Sequence, residues 1–238
     1  RSRTLLLTAF AVGLALSLPA TAWAQGEDIG DGKKFFEREP FDKITCTKAF
    51  DEEVILVNPI AFPNRRVPTK HKAGEKLRVQ PLDLDEQKEV PWTAIEKIDL
   101  FEQMVLEEAN KLVAAAKLDE AFDYFSFLER NYKKMDGLPE AHQNYLYQCV
   151  VSSVKNMNYD EALGVAEELY SQNPKYRPTE SSPPILDRIG FLAEKIIGDY
   201  IVKEDFRAAK TLLRRLETQY NAGGEPFVKN LRGKLTEV

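Results

Sequence analysis

A chain of 238 residues is long enough to bury a sizeable hydrophobic core, in one large domain or two small ones. Hydrophobic residues make up 43% and charged residues 30% of the chain, which excludes an intrinsically disordered protein and indicates a globular one. The formal net charge of −5 gives no electrostatic basis for binding nucleic acid, so we expect no nucleic-acid partner.

The first 24 residues have the composition of a secretory signal peptide. Two arginines stand among the first three residues, an apolar stretch follows at 5–18, and the triplet Ala22-Trp23-Ala24 ends the segment. A basic start, a short apolar core and a small-x-small triplet together predict export with cleavage after Ala24. A membrane anchor is the alternative interpretation, but about 14 apolar residues are fewer than the ~20 that a spanning helix needs. We therefore expect a mature protein without a stable membrane span, located in the periplasm or outside the cell.

Residues 25–34 are polar and contain several glycines, which predicts a flexible leader. Residues 35–98 then contain short runs rich in valine, isoleucine and threonine, separated by proline, asparagine and glycine. This pattern predicts a small antiparallel β module of about four strands. The order of the run "LRVQPLDLDEQKEVPWTAIEKI", residues 77–98, resembles the last hairpin of an SH3-like barrel.

From Asp99 onward the apolar residues recur at three- and four-residue steps, which predicts amphipathic helices arranged as helix–turn–helix units. Three stretches that read as second helices align on one alanine each, with a leucine seven residues later. The aligned pairs are Ala121 with Leu128, Ala162 with Leu169, and Ala209 with Leu216. One hairpin cannot bury its apolar face alone, whereas stacked hairpins can. The sequence thus predicts a repeat array over residues 99–223, followed by a further helix, cut short, at 224–238.

This array resembles the tetratricopeptide repeat. That family has a small residue at the opening of the second helix and characteristic residues four, seven and twelve positions later. The matching residues of this chain are Ala162, Ala166, Leu169 and Pro174. They lie within residues 143–176, whereas 102–135 and 190–223 match more loosely and Val150 stands where the family prefers glycine. The aligned alanines are 41 and 47 residues apart, against 34 in the family.

An unrelated helical bundle is the alternative to a repeat array. With either helical arrangement, the predicted fold class is α+β and mainly α. It consists of a small N-terminal antiparallel β module followed by α-helical hairpins.

No arrangement of side chains typical of catalysis occurs in the sequence. His71 and His142, the two histidines, lie outside any metalloprotease or nucleophile motif, and the cysteines do not have the spacing of a zinc site. An exported chain can oxidise Cys46 and Cys149, but they fall in different predicted segments, which favours two free thiols. We expect no catalytic activity, no metal site and no cofactor within these residues.

Two functional hypotheses follow. The first is a non-catalytic scaffold that binds a protein or peptide outside the cytoplasmic membrane through its helical repeats. The second is the N-terminal accessory region of a larger exported protein, either a transport-associated solute-binding protein or an enzyme, whose active domain lies beyond residue 238. An enzyme complete within these residues is a third, less favoured hypothesis.

The resemblance to tetratricopeptide repeats implies that the first helix of each hairpin lines a concave binding face. The inward positions of the first two units are Gln103, Leu106, Asn110, Val113, Asn144, Tyr147, Val151 and Val154. Of these, we expect Gln103, Leu106, Asn110, Asn144, Tyr147 and Val151 to bind the partner. Amides and a phenol can hydrogen-bond a peptide, and aliphatic residues can hold its side chains. Because none of the eight is a lysine or arginine, no site for an anionic terminus is expected. The alternative is that the aliphatic members are covered by other parts of the protein.

Overall fold

The computed structural model describes residues 33–220 and 225–236. The predicted signal peptide, residues 1–24, and nearly all of the predicted leader lie outside the described residues. Within them the fold is α+β and mainly α, with a small antiparallel β module before a series of helices, as the sequence predicts.

The described part of the β module contains five strands, where the sequence predicts about four. The strands are β1 (Asp42–Cys46), β2 (Val54–Val57), β3 (Lys76–Val79), β4 (Lys88–Pro91) and β5 (Ile95–Asp99). All pairs are antiparallel: β1 lies between β2 and β5 in one sheet, and β3 pairs with β4 in another. A bridge between Val57 and Pro81 connects the two sheets. Every second side chain of β1 is buried, as expected of a strand with one face on a core.

The additional strand lies in the second half of the segment 77–98, where residues 88–98 form one short run in the sequence, "KEVPWTAIEKI". A 3-10 turn at Trp92–Ala94 divides this run into β4 and β5. Pro91 enters the turn with a φ of −61°, the value that its ring enforces, and it has no N–H with which to extend a ladder. Thus β3 and β4 form a hairpin, the turn follows, and β5 pairs back with β1.

The helices form three hairpins and a final single helix among the described residues. They are α1 (Phe101–Ala114), α2 (Leu118–Asn131), α3 (Leu138–Lys155), α4 (Tyr159–Gln172), α5 (Ile185–Val202), α6 (Phe206–Gln219) and α7 (Pro226–Thr236). Helices α1 and α2, α3 and α4, and α5 and α6 pair as hairpins. Between hairpins, α3 packs on α1 and α2, α5 packs on α4, and α7 packs on α5 and α6.

The three hairpin turns share one backbone conformation. Each contains a residue in the left-handed region: Ala116 with a φ of 59°, Met157 with 62° and Glu204 with 59°. The N–H of this residue and the next N–H both donate to carbonyls in the last turn of the preceding helix, which is the Schellman arrangement. These residues stand 41 and 47 positions apart, like the aligned alanines. The fold therefore repeats with the spacing found in the sequence.

One hydrophobic core runs through all seven helices. The aligned small and aliphatic residues lie at its centre, with no exposed surface. They are Ala121, Ala162, Ala209, Leu128, Leu169 and Leu216. The helical period in the sequence thus identified the residues that hold the hairpins together.

Residues 35–41, which the sequence analysis includes in the β module, pack on the helices instead. The ring of Phe35 stacks on that of Phe101 with centroids 5.6 Å apart, and Phe36 meets Tyr124 edge to face at 4.8 Å. Phe101 begins α1 and Tyr124 lies in α2, so both partners belong to the helical core. The β module fills its own core mainly with aliphatic side chains. The aromatic segment is buried against the helices.

A buried ionic network joins the β module to α1. Asp42 of β1 and Glu102 of α1 are 0% and 2% exposed, and the guanidinium of Arg65 lies between them. Its Nη2 is 2.6 Å from Asp42 Oδ1 and 2.8 Å from Glu102 Oε2. Asp42 also accepts the backbone N–H groups of Ile60 and Phe101 at 2.7 and 2.9 Å. Burial acts to lower the pKa of Arg65, but its bonds to two carboxylates outweigh burial and raise the pKa overall.

Candidate functional site

The predicted inward positions of α1 divide into exposed amides and buried aliphatic side chains. Gln103 and Asn110 are exposed, whereas Leu106 and Val113 are only 9% and 6% exposed and belong to the helical core. The side chain of Leu106 lies next to Gly137, in the turn that leads into α3. It is covered there because the second hairpin packs on α1. Leu106 is therefore a core residue and not part of an open groove, in agreement with the alternative in which aliphatic inward positions are covered by other parts of the protein.

The predicted residues of α3 form a more open stripe. Asn144 is exposed, Val151 is 39% exposed, and Tyr147 and Val154 are half-buried. Steps of three and four residues place all four on one side of the helix. Of the two units considered, the second is the one that presents both amide and apolar side chains on a single surface.

Two residues that the sequence analysis did not select complete this surface. Tyr176, from the segment between α4 and α5, has its ring centroid 5.8 Å from that of Tyr147. Arg188 of α5 donates from Nη2 to Tyr147 Oη at 3.4 Å. Three separate parts of the chain therefore bring two phenols and a guanidinium together.

Short-range hydrogen bonds hold Tyr176 in this position. The side chain of Asn173 donates to Gln143 Oε1 at 2.9 Å, which ties the end of α4 to α3. The N–H of Tyr176 donates to the carbonyl of Asn173, and the carbonyl of Tyr176 accepts the N–H of Ile185 at the start of α5. The segment is thus fixed at both ends, and the Tyr176 side chain is directed onto α3.

Burial raises the pKa of Tyr176, and the nearby Tyr147 phenol raises it further. Tyr176 therefore keeps its proton at neutral pH, and its hydroxyl group can donate a hydrogen bond. Arg188 and Tyr176 thus both contact Tyr147, Arg188 at its hydroxyl and Tyr176 at its ring.

Helix α5 extends the surface with an aromatic and a second cation. Phe191 is 39% exposed and follows Arg188 by three residues, which places it on the same side of α5. The ammonium of Lys195 lies 5.5 Å from the centre of the Phe191 ring. We call the surface formed by Asn144, Tyr147, Val151, Tyr176, Arg188 and Phe191 the first-helix face. The eight inward positions of the first two units include no lysine or arginine, and the cations of this surface come from the third unit, with Arg188 outside the aligned inward positions.

The histidines and cysteines are placed elsewhere. His71 stacks on Trp92 with centroids 5.0 Å apart, and His142 Nδ1 lies 3.0 Å from Glu129 Oε1. Cys46 and Cys149 are both free thiols, and burial raises the pKa of each. Within residues 33–220 and 225–236, no group of three or more His, Cys, Asp or Glu side chains is arranged to hold a metal ion.

A surface depression with a volume of about 600 Å³ lies between α2, α3 and the end of α4. Its lining includes Glu129, Arg130, Lys133 and His142. Charges of both signs surround it, and its acid and histidine already bond to each other. The depression is lined on α3 by Leu138, Pro139 and His142, and none of these belongs to the first-helix face.

None of the described helices has both the length and the apolar character that crossing a membrane requires. Comparisons of the chain with protein-family models, curated proteins and solved structures gave no match.

Proposed function

We propose that this protein is a non-catalytic scaffold that binds a protein or peptide partner through an array of tetratricopeptide-like hairpins. The observation that carries the proposal is the first-helix face. There, aromatic, aliphatic, amide and guanidinium groups from α3, the α4–α5 segment and α5 are jointly accessible.

The composition of this face suits recognition of a polypeptide. Tyrosine, arginine and other aromatic residues are enriched where proteins bind each other, because they combine a large contact area with specific hydrogen bonds. Asn144 is exposed and its amide can bond either group of a peptide backbone. Partly exposed Val151 and Phe191 offer apolar contacts beside it.

The proposed place of action is outside the cytoplasmic membrane, in the periplasm or the extracellular space. Support for it comes from the amino-acid pattern of residues 1–24, which is typical of a cleaved signal peptide.

The test is selection of ligands from a displayed library of random 12-residue peptides on the purified chain from Gln25. The affinity of a selected peptide is then measured for the double variant Asn144→Ala with Tyr147→Ala. We expect binding to weaken about tenfold or more, as truncation of a central aromatic commonly does. Because Tyr147 packs on Tyr176, Asn144→Ala with Val151→Ala provides a second variant whose residues are more exposed.

The matched control is Phe122→Ala with Asn131→Ala, which removes an exposed aromatic and an exposed amide from α2. This control should bind the peptide as tightly as the unaltered chain. The variant Asn144→Ala with Val151→Ala should keep the melting temperature of the unaltered chain. If the first-helix variants bind as tightly as the control, or no peptide is selected, the face is not a recognition surface.

A further inference from the structure

Arg188 is the one half-buried arginine of the described residues whose charge has neither a carboxylate nor an aromatic ring opposite it. The two other half-buried arginines are Arg38, which lies over a phenylalanine ring, and Arg65, which bonds to two carboxylates. Arg188 has a single described polar contact, to Tyr147 Oη at 3.4 Å. That distance is longer than a usual N–H···O bond, so the contact is weak.

The hydrogen-bonding capacity around Arg188 is therefore mostly unused by the protein. A guanidinium has five N–H donors in a planar fork, and one of them meets Tyr147. Tyr147 accepts that bond, which leaves its own proton free, and Tyr176 keeps its proton as described above. The free guanidinium donors of Arg188 and the hydroxyl proton of Tyr147 lie together, with the Tyr176 ring 5.8 Å from that of Tyr147. The group that complements such donors is a planar anion with two acceptor oxygens.

The charge of the surrounding surface also favours an anion. The carboxylate of Glu194, on the neighbouring part of α5, pairs with Lys234 of α7. Lys195 adds a positive charge two turns after Arg188 on the same helix. The exposed carboxylate of Asp187 stands next to Arg188 in the sequence, so residues 187–195 together with Lys234 have one positive charge in excess.

We propose that Arg188, Tyr147 and Tyr176 form a subsite for an aspartate or glutamate side chain of the partner, and that an apolar residue beside this acid contacts Phe191. This inference rests on the proposed function and specifies the class of peptide: an acidic segment with an adjacent apolar residue. A carboxylate receives two parallel N–H bonds from Arg188 and a hydroxyl bond from each tyrosine that faces it.

The experiment uses two arrays of amidated 12-residue peptides with random flanks. In the first array every peptide has Asp or Glu at its centre, and in the second the central residue is Asn or Gln. We expect the summed binding signal of the chain from Gln25 to be at least tenfold higher on the acidic array than on the array with Asn or Gln at the centre. The variant Arg188→Gln should lose that preference, since it keeps a polar side chain but not the charge.

The matched control is Arg207→Gln, which removes the same charge from an exposed position of α6 and should keep the preference. Tyr147→Phe, which keeps the ring, should reduce the preference partly. Melting temperatures of all variants establish that each is folded.

Equal binding of both arrays by the unaltered chain, with no effect of Arg188→Gln, would show that the face binds peptides without an acid subsite. Such a result overturns this inference and leaves the proposed function standing. Binding that needs a free C-terminal carboxylate, tested with non-amidated Asn and Gln peptides, also overturns the side-chain assignment. If neither array binds, the inference fails, and the random-library selection decides the proposed function separately.

Discussion

At the scale of single residues, one glycine in the middle of a helix has a packing role. A Cβ atom at Gly190 of α5 would lie 2.8–2.9 Å from ring atoms of Phe227 in α7. Real Cβ contacts are longer than this, so the absence of a side chain lets α7 approach α5. Gly198, two turns later in α5, has no atom within 4 Å of its corresponding position.

We therefore expect opposite effects of the same substitution at these two positions. Gly190→Ala should lower the free energy of unfolding by about 1–3 kcal/mol, because overpacking against Phe227 outweighs the gain in helix propensity. Gly198→Ala should raise it by about 0.5–1 kcal/mol, since alanine is the better helix former and has free space there. Urea denaturation followed by circular dichroism measures both. Stabilisation by both substitutions would show that α7 does not pack closely at Gly190.

The sequence could predict part of the candidate site. Asn144, Tyr147 and Val151 were expected because the resemblance to tetratricopeptide repeats implies an inward face on the first helix, and the structure places them on one side of α3. Tyr176 and Arg188 come from other segments, and a period within one helix does not report contacts between helices. Extending the alignment to the third unit would have selected Phe191, which corresponds to Asn144. Leu106 is buried where the second hairpin packs on α1, although Gln103 and Asn110 of the same helix are exposed.

At the scale of elements, the hairpin is the unit that the sequence specifies best. The period of apolar residues located all three pairs of helices, and the alanine alignment agrees with the spacing of their turns. The turn conformation itself was not predictable, because the left-handed residues are Ala116, Met157 and Glu204 and not glycine. The division of residues 88–98 into two strands was also not predicted, because a 3-10 turn interrupts a run that looks continuous in the sequence.

The alignment makes a direct prediction about packing within α4. Ala162 is fully buried in a helix that packs on both α3 and α5, whereas Glu168 is exposed. Ala162→Trp should therefore destabilise the protein by about 1–3 kcal/mol or more. Glu168→Trp introduces the same side chain at the surface and should change stability by no more than about 0.5 kcal/mol. Equal melting temperatures for the two variants would contradict the placement of Ala162 at a helix contact.

At the scale of the whole molecule, the contacts between the β module and the helices bear on whether the two parts fold together. The sequence predicts that they separate near Ile98–Leu100, where the apolar period changes. In the structure β5 ends at Asp99, and Asp42 of β1 accepts the N–H of Phe101 at the start of α1. The guanidinium of Arg65 then joins the buried carboxylates of the β module and α1.

Removing the central cation of this network should be costly. Arg65→Gln leaves two buried carboxylates without a counter-charge, and loss of one partner from a buried ionic network commonly costs about 3–5 kcal/mol. Arg66→Gln is the matched control, because its exposed pair with Asp136 should contribute less than about 1 kcal/mol. Denaturation midpoints in urea measure the difference. Equal midpoints for the two variants would mean that the network does not stabilise the fold.

The same unfolding experiment can establish whether the two parts form one cooperative unit. In a chain that begins at Gln25, Trp92 is the sole tryptophan and reports on the β module, whereas circular dichroism at the helical band reports mainly on α1–α7. We expect the two signals to change at the same urea concentration, because a two-state transition gives coincident curves from different probes. Arg65 and the aromatic contacts of Phe35 and Phe36 provide the coupling. Two separate transitions in the unaltered chain would instead favour the independent modules that the change in apolar period predicts, and the ionic network would then be a contact between domains that fold alone.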